Sequence, residues 1–317
     1  MPHRRASYGQ GPAHVWVEDR HGADLPYSKG LMAASIMATG LPPGRSYALA
    51  ASIEDDLLAS GIDLVCADEL ATLAAEVLTR LEGPDIADRY LAWRHAKRSP
   101  NPIVVLIGGA TGVGKSTVAT KLAARLALPR VIPTDTIREV MRTFLPADQV
   151  PEIHGSSFEA PILPGITYHD PVVEAFDRQS ATVATGVQGV IERMVVEHKD
   201  VIVEGIHLVP GMLDPYLLHK VRREAVVVEV VLTLEDPAVH RAHFLTRMDN
   251  EHGRNPERYL RRLADIRRIQ DHIRARAHSH AVPQVDAGDL DDTIQEVLNL
   301  VVAEVTASRQ LDHAWAG

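Results

Sequence analysis

Apolar and polar residues alternate over residues 14–18 (HVWVE), and the run Asp19-Arg20-His21-Gly22 that follows is a turn signal. The pattern predicts a short strand and a hairpin, with residues 25–27 as the returning strand. The period then lengthens. Ser28 can cap a helix over 30–39 that stops at Gly40. Leu49, Ile53, Leu57 and Leu58 carry helical spacing through 45–60, up to Gly61. Asp68 is the expected cap of a helix over 69–81, which Gly83-Pro84 ends. Residues 85–98 make one more helix before the linker Ser99-Pro100-Asn101-Pro102. Residues 13–99 thus read as a hairpin followed by four helices.

Beyond the linker the grammar changes. Residues 103–107 (IVVLI) form an uninterrupted apolar run, the pattern of a parallel strand buried on both faces. A helix is predicted over 115–126, a short strand over 130–133 and a helix over 136–144. Residues 146–170 hold prolines at 146, 151, 161 and 164 and read as a long loop. A long helix follows over 172–198, then two buried strands over 200–206 and 226–234. Helices over 237–250 and 256–277 flank a break containing Gly253, and a strand over 281–285 and a helix over 290–306 close the chain. Strands alternating with helices predict an α/β domain, a doubly wound parallel sheet over residues 100–310. The smaller hairpin-plus-helices domain precedes it, and residues 1–12 read as a disordered tail.

The composition is that of a globular protein: 317 residues, 45% hydrophobic and 24% charged, which excludes collagen-like and wholly disordered readings. No apolar stretch approaches the ~20 residues needed to span a bilayer, and the basic start lacks the apolar segment of a secretory signal. Neither membrane association nor secretion is expected. The single cysteine, Cys66, leaves no intramolecular disulfide or cysteine-based zinc cluster, and it is expected to be a small buried residue. That usage fits a reducing, cytoplasmic compartment. The net charge of −9 argues against nucleic acid as a partner. Its distribution is uneven, because residues 241–276 hold ten arginines against five carboxylates, a net of +5. Such a segment suits a local anionic ligand or, alternatively, a solvated helix face laced with ion pairs.

One motif decides between these. Gly109-Ala110-Thr111-Gly112-Val113-Gly114-Lys115-Ser116 fits G-x-x-x-x-G-K-[ST], follows a buried strand and opens a helix. The glycines let successive backbone N–H groups turn inward around phosphate, and the helix start adds its positive end. Lys115 can reach the outer phosphates, the Ser116 hydroxyl can ligate Mg²⁺, and Thr117 follows in the first helical turn. A second acidic group is needed near the metal, and Glu204 ends an apolar strand where it could sit beside the loop. Asp135 follows the second strand, with Arg138 and Arg142 at successive turns: a carboxylate to orient or deprotonate a hydroxyl, and guanidinium groups to clamp an anion. The alternative is a simple cap with solvated arginines. Arg241, Arg247, Arg254 and Arg258 surround the Gly253 break and mark a lid over about 241–262. Arg247 and Arg254 are the candidates for stabilising charge on a transferring phosphoryl group. His207 follows the Glu204 edge as a candidate substrate contact or structural residue, and His154, His169 and Asp170 are candidates for a substrate wall. His240 and His243 are three residues apart on a helix, without a third ligand at zinc spacing.

At these residues the chain resembles the 2-phosphoglycerate kinase family. The resemblance runs through IVVLIGGATGVGKST, PTDTIREVMR, VIVEGIHLVPG and RRIQDHI, most of residues 102–275. It implies transfer of the ATP γ-phosphoryl group to the free hydroxyl of 2-phosphoglycerate, with Mg²⁺ as cofactor. The hairpin VWVEDRHG, with LPYSKGLMAASIMATGL and DRYLAWR, resembles an ATP-cone. This implies a regulatory nucleotide at the N-terminal domain, with a structural or oligomerising role as the alternative. The residues alone also fit another phosphorylated or sugar-acid acceptor, a nucleoside or an RNA end, or a nucleotide-sensing P-loop regulator.

Overall fold

The computed structural model describes residues 15–18, 22–165, 167–246 and 256–315. The expected tail over 1–12, and the hairpin turn at Asp19-Arg20-His21, lie outside the described residues. The chain divides into two compact units, residues 1–97 and 98–317.

In the first unit, strands β1 (Trp16–Glu18) and β2 (Asp24–Pro26) pair antiparallel, as the alternation predicts. Helices α1 (Lys29–Met37) and α2 (Pro43–Ala59) follow. Strand β3 (Leu64–Cys66) then pairs parallel with β1, giving the order β2-β1-β3. Three residues are too few to leave an alternating signature, so sequence reasoning missed β3. Helices α3 (Ala67–Glu82) and α4 (Pro84–Ala96) complete the unit. The cap of α3 is Cys66 rather than Asp68. Its Sγ accepts from the Glu69 backbone N–H at 3.4 Å, and the Glu69 carboxylate returns the bond to the Cys66 N–H. Cys66 is accordingly half-buried and not the core residue expected. The core lies between the helices, around Ile36, Leu49, Ile53, Leu57, Leu78 and Tyr90.

The second unit is built on a five-stranded parallel sheet. Strand β4 (Ile103–Gly109) runs into the Gly-rich loop and helix α5 (Lys115–Leu126). Next come β5 (Val131–Pro133), α6 (Thr134–Phe144), the long loop with two short 3₁₀ turns at Pro151–His154 and Ser157–Glu159, and α7 (Pro171–Val196). Strand β6 (Val201–Glu204), α8 (Pro215–Glu224) and β7 (Val226–Thr233) follow. Helix α8 was not predicted, although Asp214-Pro215 signals it: the Asp214 carboxylate accepts from the Tyr216 N–H and Pro215 fills the first position. Helices α9 (Pro237–Thr246), α10 (Pro256–Arg261) and α11 (Leu263–Ser279), strand β8 (Gln284–Asp286) and α12 (Leu290–Trp315) end the chain. The helix predicted over 256–277 is broken at Arg262, whose backbone leaves the helical region while its guanidinium donates to the Phe158 carbonyl.

The strand order is β5-β6-β4-β7-β8, all parallel, with helices on both faces. Chain order reverses at β4, so a crevice opens beyond the carboxyl ends of β4, β5 and β6, where ligands bind in such sheets. β4 is buried at every residue, which explains its lack of polar alternation. Among the described residues no helix is long and apolar enough to cross a membrane.

Candidate active site

The sheet register assembles the site. Ile107 is level with Glu204, and Glu204 with Pro133, so the loop after β4, the end of β6 and the start of α6 share one edge. Gly112 at φ +91° and Gly114 at φ +94° turn the loop between β4 and α5 in conformations that side chains rarely adopt. A Cβ on Gly112 would also lie 2.4 Å from Phe244 Cζ, so the loop rests directly on that ring. Lys115 is 8% exposed and donates from Nζ to the Ala110 carbonyl at 2.8 Å, which holds the ammonium over the loop.

The Ser116 hydroxyl donates to Glu204 Oε1 at 2.8 Å. Glu204 is 4% exposed, so this carboxylate is buried at the strand end rather than facing solvent. A hydroxyl and a carboxylate, both hard oxygen donors, fit magnesium rather than a soft metal. Among the described residues no group of three His, Cys, Asp or Glu side chains could hold a metal. The ion would therefore share its coordination with nucleotide phosphates.

Two clefts meet at Gly112. The larger, about 630 Å³, is lined by Thr111, Lys115, Ser116, Asp135, Arg138 and Glu204, with walls from residues 156–158 and Tyr259. The other, about 490 Å³, is lined by Val113, Gly114, Thr117, His243, Thr246, Ala287, Gly288 and Leu290. Gly109 and Ala110 lie beneath the loop rather than in either cleft. Asp135 is in the first turn of α6, not its cap, with a side chain 68% exposed and 3.5 Å from Arg138. Arg138 lines the larger cleft and donates to the Gly155 carbonyl. Arg142 is bound to Glu139 at 2.7 Å and does not line the cleft. His207 is also off the cleft: it is buried and bonded to Thr134 and Gln179, the structural alternative to substrate contact. Arg247 and Arg254 lie outside the described residues.

Sequence reasoning missed the part played by α9. His240 donates from Nε2 to the Thr111 carbonyl at 2.8 Å, and His243 Nδ1 lies 3.0 Å from the Gly112 carbonyl. The two imidazoles thus anchor the outer surface of the phosphate loop. Their spacing on one helix face was the available signal, weighed only against zinc. Burial pushes the His240 imidazole down to about 4, and its Nδ1 is buried without a partner among the described residues. Phe244 stacks on His240 and on Tyr259, with centroids 5.3 and 5.2 Å apart, and Tyr259 meets Phe158 at 5.5 Å. Arg258, a lid candidate, donates from Nε to Glu159 Oε2 at 2.9 Å and from Nη2 to Ser156 Oγ at 2.9 Å. It joins α10 to the long loop across the cleft wall.

No family model matches the chain. Among curated proteins, the 2-phosphoglycerate kinase of Methanopyrus kandleri is 36% identical over 297 residues, 92% of this chain and 88% of that protein. The chain belongs to the 2-phosphoglycerate kinase family. The 2-phosphoglycerate kinase of Methanothermobacter thermautotrophicus is 36% identical over 277 residues, 86% of this chain and 89% of that protein. That of Pyrococcus furiosus is 34% identical over 304 residues, 94% of this chain and 98% of that protein. Spans of this length take in most of both units. Among solved structures, a gluconokinase from Sinorhizobium meliloti covers 67% of this chain and 97% of its own at 16% identity, with a TM-score of 0.37. As a member of the 2-phosphoglycerate kinase family the chain is an ATP-dependent phosphotransferase that uses Mg²⁺.

Proposed function

We propose that the chain phosphorylates 2-phosphoglycerate, its ATP donor lying along the phosphate loop between the two clefts. The nucleoside occupies the cleft beside Thr117, His243, Ala287, Gly288 and Leu290, and the acceptor occupies the larger cleft beside Asp135 and Arg138. The observation that carries this reading is the meeting of the clefts at Gly112, with Lys115, an acid and a guanidinium lining the larger one. It is supported by the names of the curated relatives.

The acceptor's free hydroxyl oxygen attacks the γ-phosphorus in line. The bond from that phosphorus to the β–γ bridging oxygen breaks, ADP leaves, and 2,3-bisphosphoglycerate forms. Asp135 orients the hydroxyl and takes its proton, which passes to solvent. Arg138 holds the acceptor's phosphate or carboxylate, a geometry that guanidinium groups match in two bonds. Lys115 and the inward N–H groups of the loop hold the β- and γ-phosphates as charge shifts between them. Ser116 and Glu204 would hold a magnesium ion, which would supply neutralisation of phosphate charge. Arg247 and Arg254 are assigned to stabilising charge on the transferring phosphoryl group, and Arg142, one helical turn beyond Arg138, adds positive potential.

Residues 13–99 act as an ATP-cone-like regulatory domain of a kinase domain over 100–310. Lys29 of this unit is paired with Glu54 at 2.8 Å, and nucleotide phosphate would compete for that ammonium. The deciding experiment is an ATP-dependent screen of phosphorylated three-carbon acids with mass spectrometry of the products. Turnover should be greatest with 2-phosphoglycerate. ADP release that continues undiminished with an analogue lacking the free hydroxyl would sink the proposal.

A further inference from the structure

Behind the larger cleft a ring of hydrogen bonds closes on itself. Thr134 and Arg138 are one turn apart on α6. Thr134 Oγ1 lies 2.9 Å from His207 Nδ1, and His207 Nε2 lies 3.2 Å from Gln179 Oε1. Gln179 Nε2 donates to the carbonyls of Glu152 at 2.6 Å and Gly155 at 3.1 Å. The Gly155 carbonyl also accepts from Arg138 Nη1, which closes the circuit. Thr134, Gln179 and His207 are all buried.

The chemistry fixes every orientation in the ring. Both hydrogens of the Gln179 amide are taken by carbonyls, so its oxygen faces His207. The imidazole must then carry its proton on Nε2 and accept the Thr134 hydroxyl at Nδ1. Burial keeps it neutral, with Arg138 and Lys115 opposing a positive charge and Asp135 favouring one. At the other end, Arg138 Nε is buried without a hydrogen-bond partner among the described residues, although the side chain lines the cleft. The ring therefore pins one corner of the guanidinium and leaves a donor unsatisfied. No room remains for side-chain slack: a Cβ on Gly205, two residues before His207, would lie 1.7 Å from Thr134 Oγ1.

We infer that Thr134, His207 and Gln179 are positioning residues that hold the Arg138 guanidinium for an oxyanion of the acceptor. They set acceptor affinity without touching the acceptor. This rests on the reading of Arg138 as the acceptor contact.

The test is steady-state kinetics of the full chain with 2-phosphoglycerate and Mg-ATP, for Thr134→Val, Thr134→Ser, Gln179→Met and Arg138→Ala. Thr134→Val keeps the shape and removes the hydroxyl, whereas Thr134→Ser keeps the hydroxyl. Thr134→Val and Gln179→Met should raise the acceptor KM about tenfold, leave the ATP KM within about twofold, and lose their effect in an Arg138→Ala background. Thr134→Ser should stay near the parent value. The inference is overturned if Arg138→Ala raises the acceptor KM and the other two do not, or if both KM values move together with the melting temperature. If Arg138→Ala leaves the acceptor KM unchanged, the acceptor-contact reading itself is what fails. Independently of turnover, ¹⁵N resonances of His207 at pH 6 should report a neutral ring protonated on Nε2. A doubly protonated ring at that pH would overturn the inference.

Discussion

Acid should weaken the kinase unit through two imidazoles. His207 and His240 are buried, and burial pushes each down to about 4 from an ordinary value near 6.5. Between these values the unfolded chain takes up a proton at each histidine that the folded chain refuses. Stability is therefore intact above about pH 7 and falls as the pH drops from 6.5 toward 4. At pH 5 the loss relative to pH 7.5 is roughly 2 kcal/mol for each imidazole, or about 4 kcal/mol for the pair. Carboxylates titrate over part of the same window, so the decisive quantity is a difference between proteins. Urea unfolding followed by circular dichroism, at pH 7.5 and 5.0, should be compared for the parent chain and His240→Gln. The Gln amide reaches the Nε2 position and can still donate to the Thr111 carbonyl, but it does not titrate. The variant should lose about 2 kcal/mol less than the parent between the two pH values. Equal losses would refute the argument, because His240 would then carry the same proton folded and unfolded.

Three further outcomes follow from the site. Lys115→Ala should lower kcat about 10²- to 10³-fold with an unchanged far-UV circular dichroism spectrum; a lost spectrum would make Lys115 structural instead. Gly112→Ala forces a Cβ against Phe244 at φ +91°, and it should raise the ATP KM about tenfold. Trimming the ring with Phe244→Leu should recover part of that loss, and no recovery would place the damage in the loop backbone alone. Glu204→Gln should raise the Mg²⁺ concentration needed for half-maximal turnover about tenfold. An unchanged Mg²⁺ titration would remove Glu204 from the metal site.

What the sequence made legible was what a single segment encodes. The Gly-rich loop has its strand before it and its helix after it within a short run, so Lys115, Ser116 and the glycines could be assigned directly. Glu204 and Asp135 were found because each ends or follows an apolar strand, and parallel strands deliver such residues to one edge. Residues joined only by tertiary packing were not legible. Gln179 lies midway along α7 with nothing local to distinguish it from a core position. Ser156, Ser157 and Phe158 line the cleft from within a proline-rich loop that has no periodicity. His207 was noticed from its place beside Glu204, but burial, which a sequence does not print, made it a neighbour of the site rather than a wall of it. Arg138 and Arg142 looked equivalent at successive turns. Tertiary contacts separate them: Arg138 lines the cleft and donates to the Gly155 carbonyl, whereas Arg142 bonds Glu139 away from it.

The meeting of the two clefts at Gly112 has a consequence for how this enzyme can change. Among the described residues Gly112, which has no side chain, is the one common to both linings. On the proposed assignment of the clefts, the acceptor wall from α6, the long loop and Tyr259 can be rewritten without altering a residue that lines the nucleoside cleft. The reverse holds for α9 and the turn before α12. On that assignment, acceptor choice and nucleoside choice are thus separate heritable modules hinged on a stretch of glycine backbone. A directed library confined to residues 135–139 and 156–158 could explore new acceptors while the ATP half stays untouched.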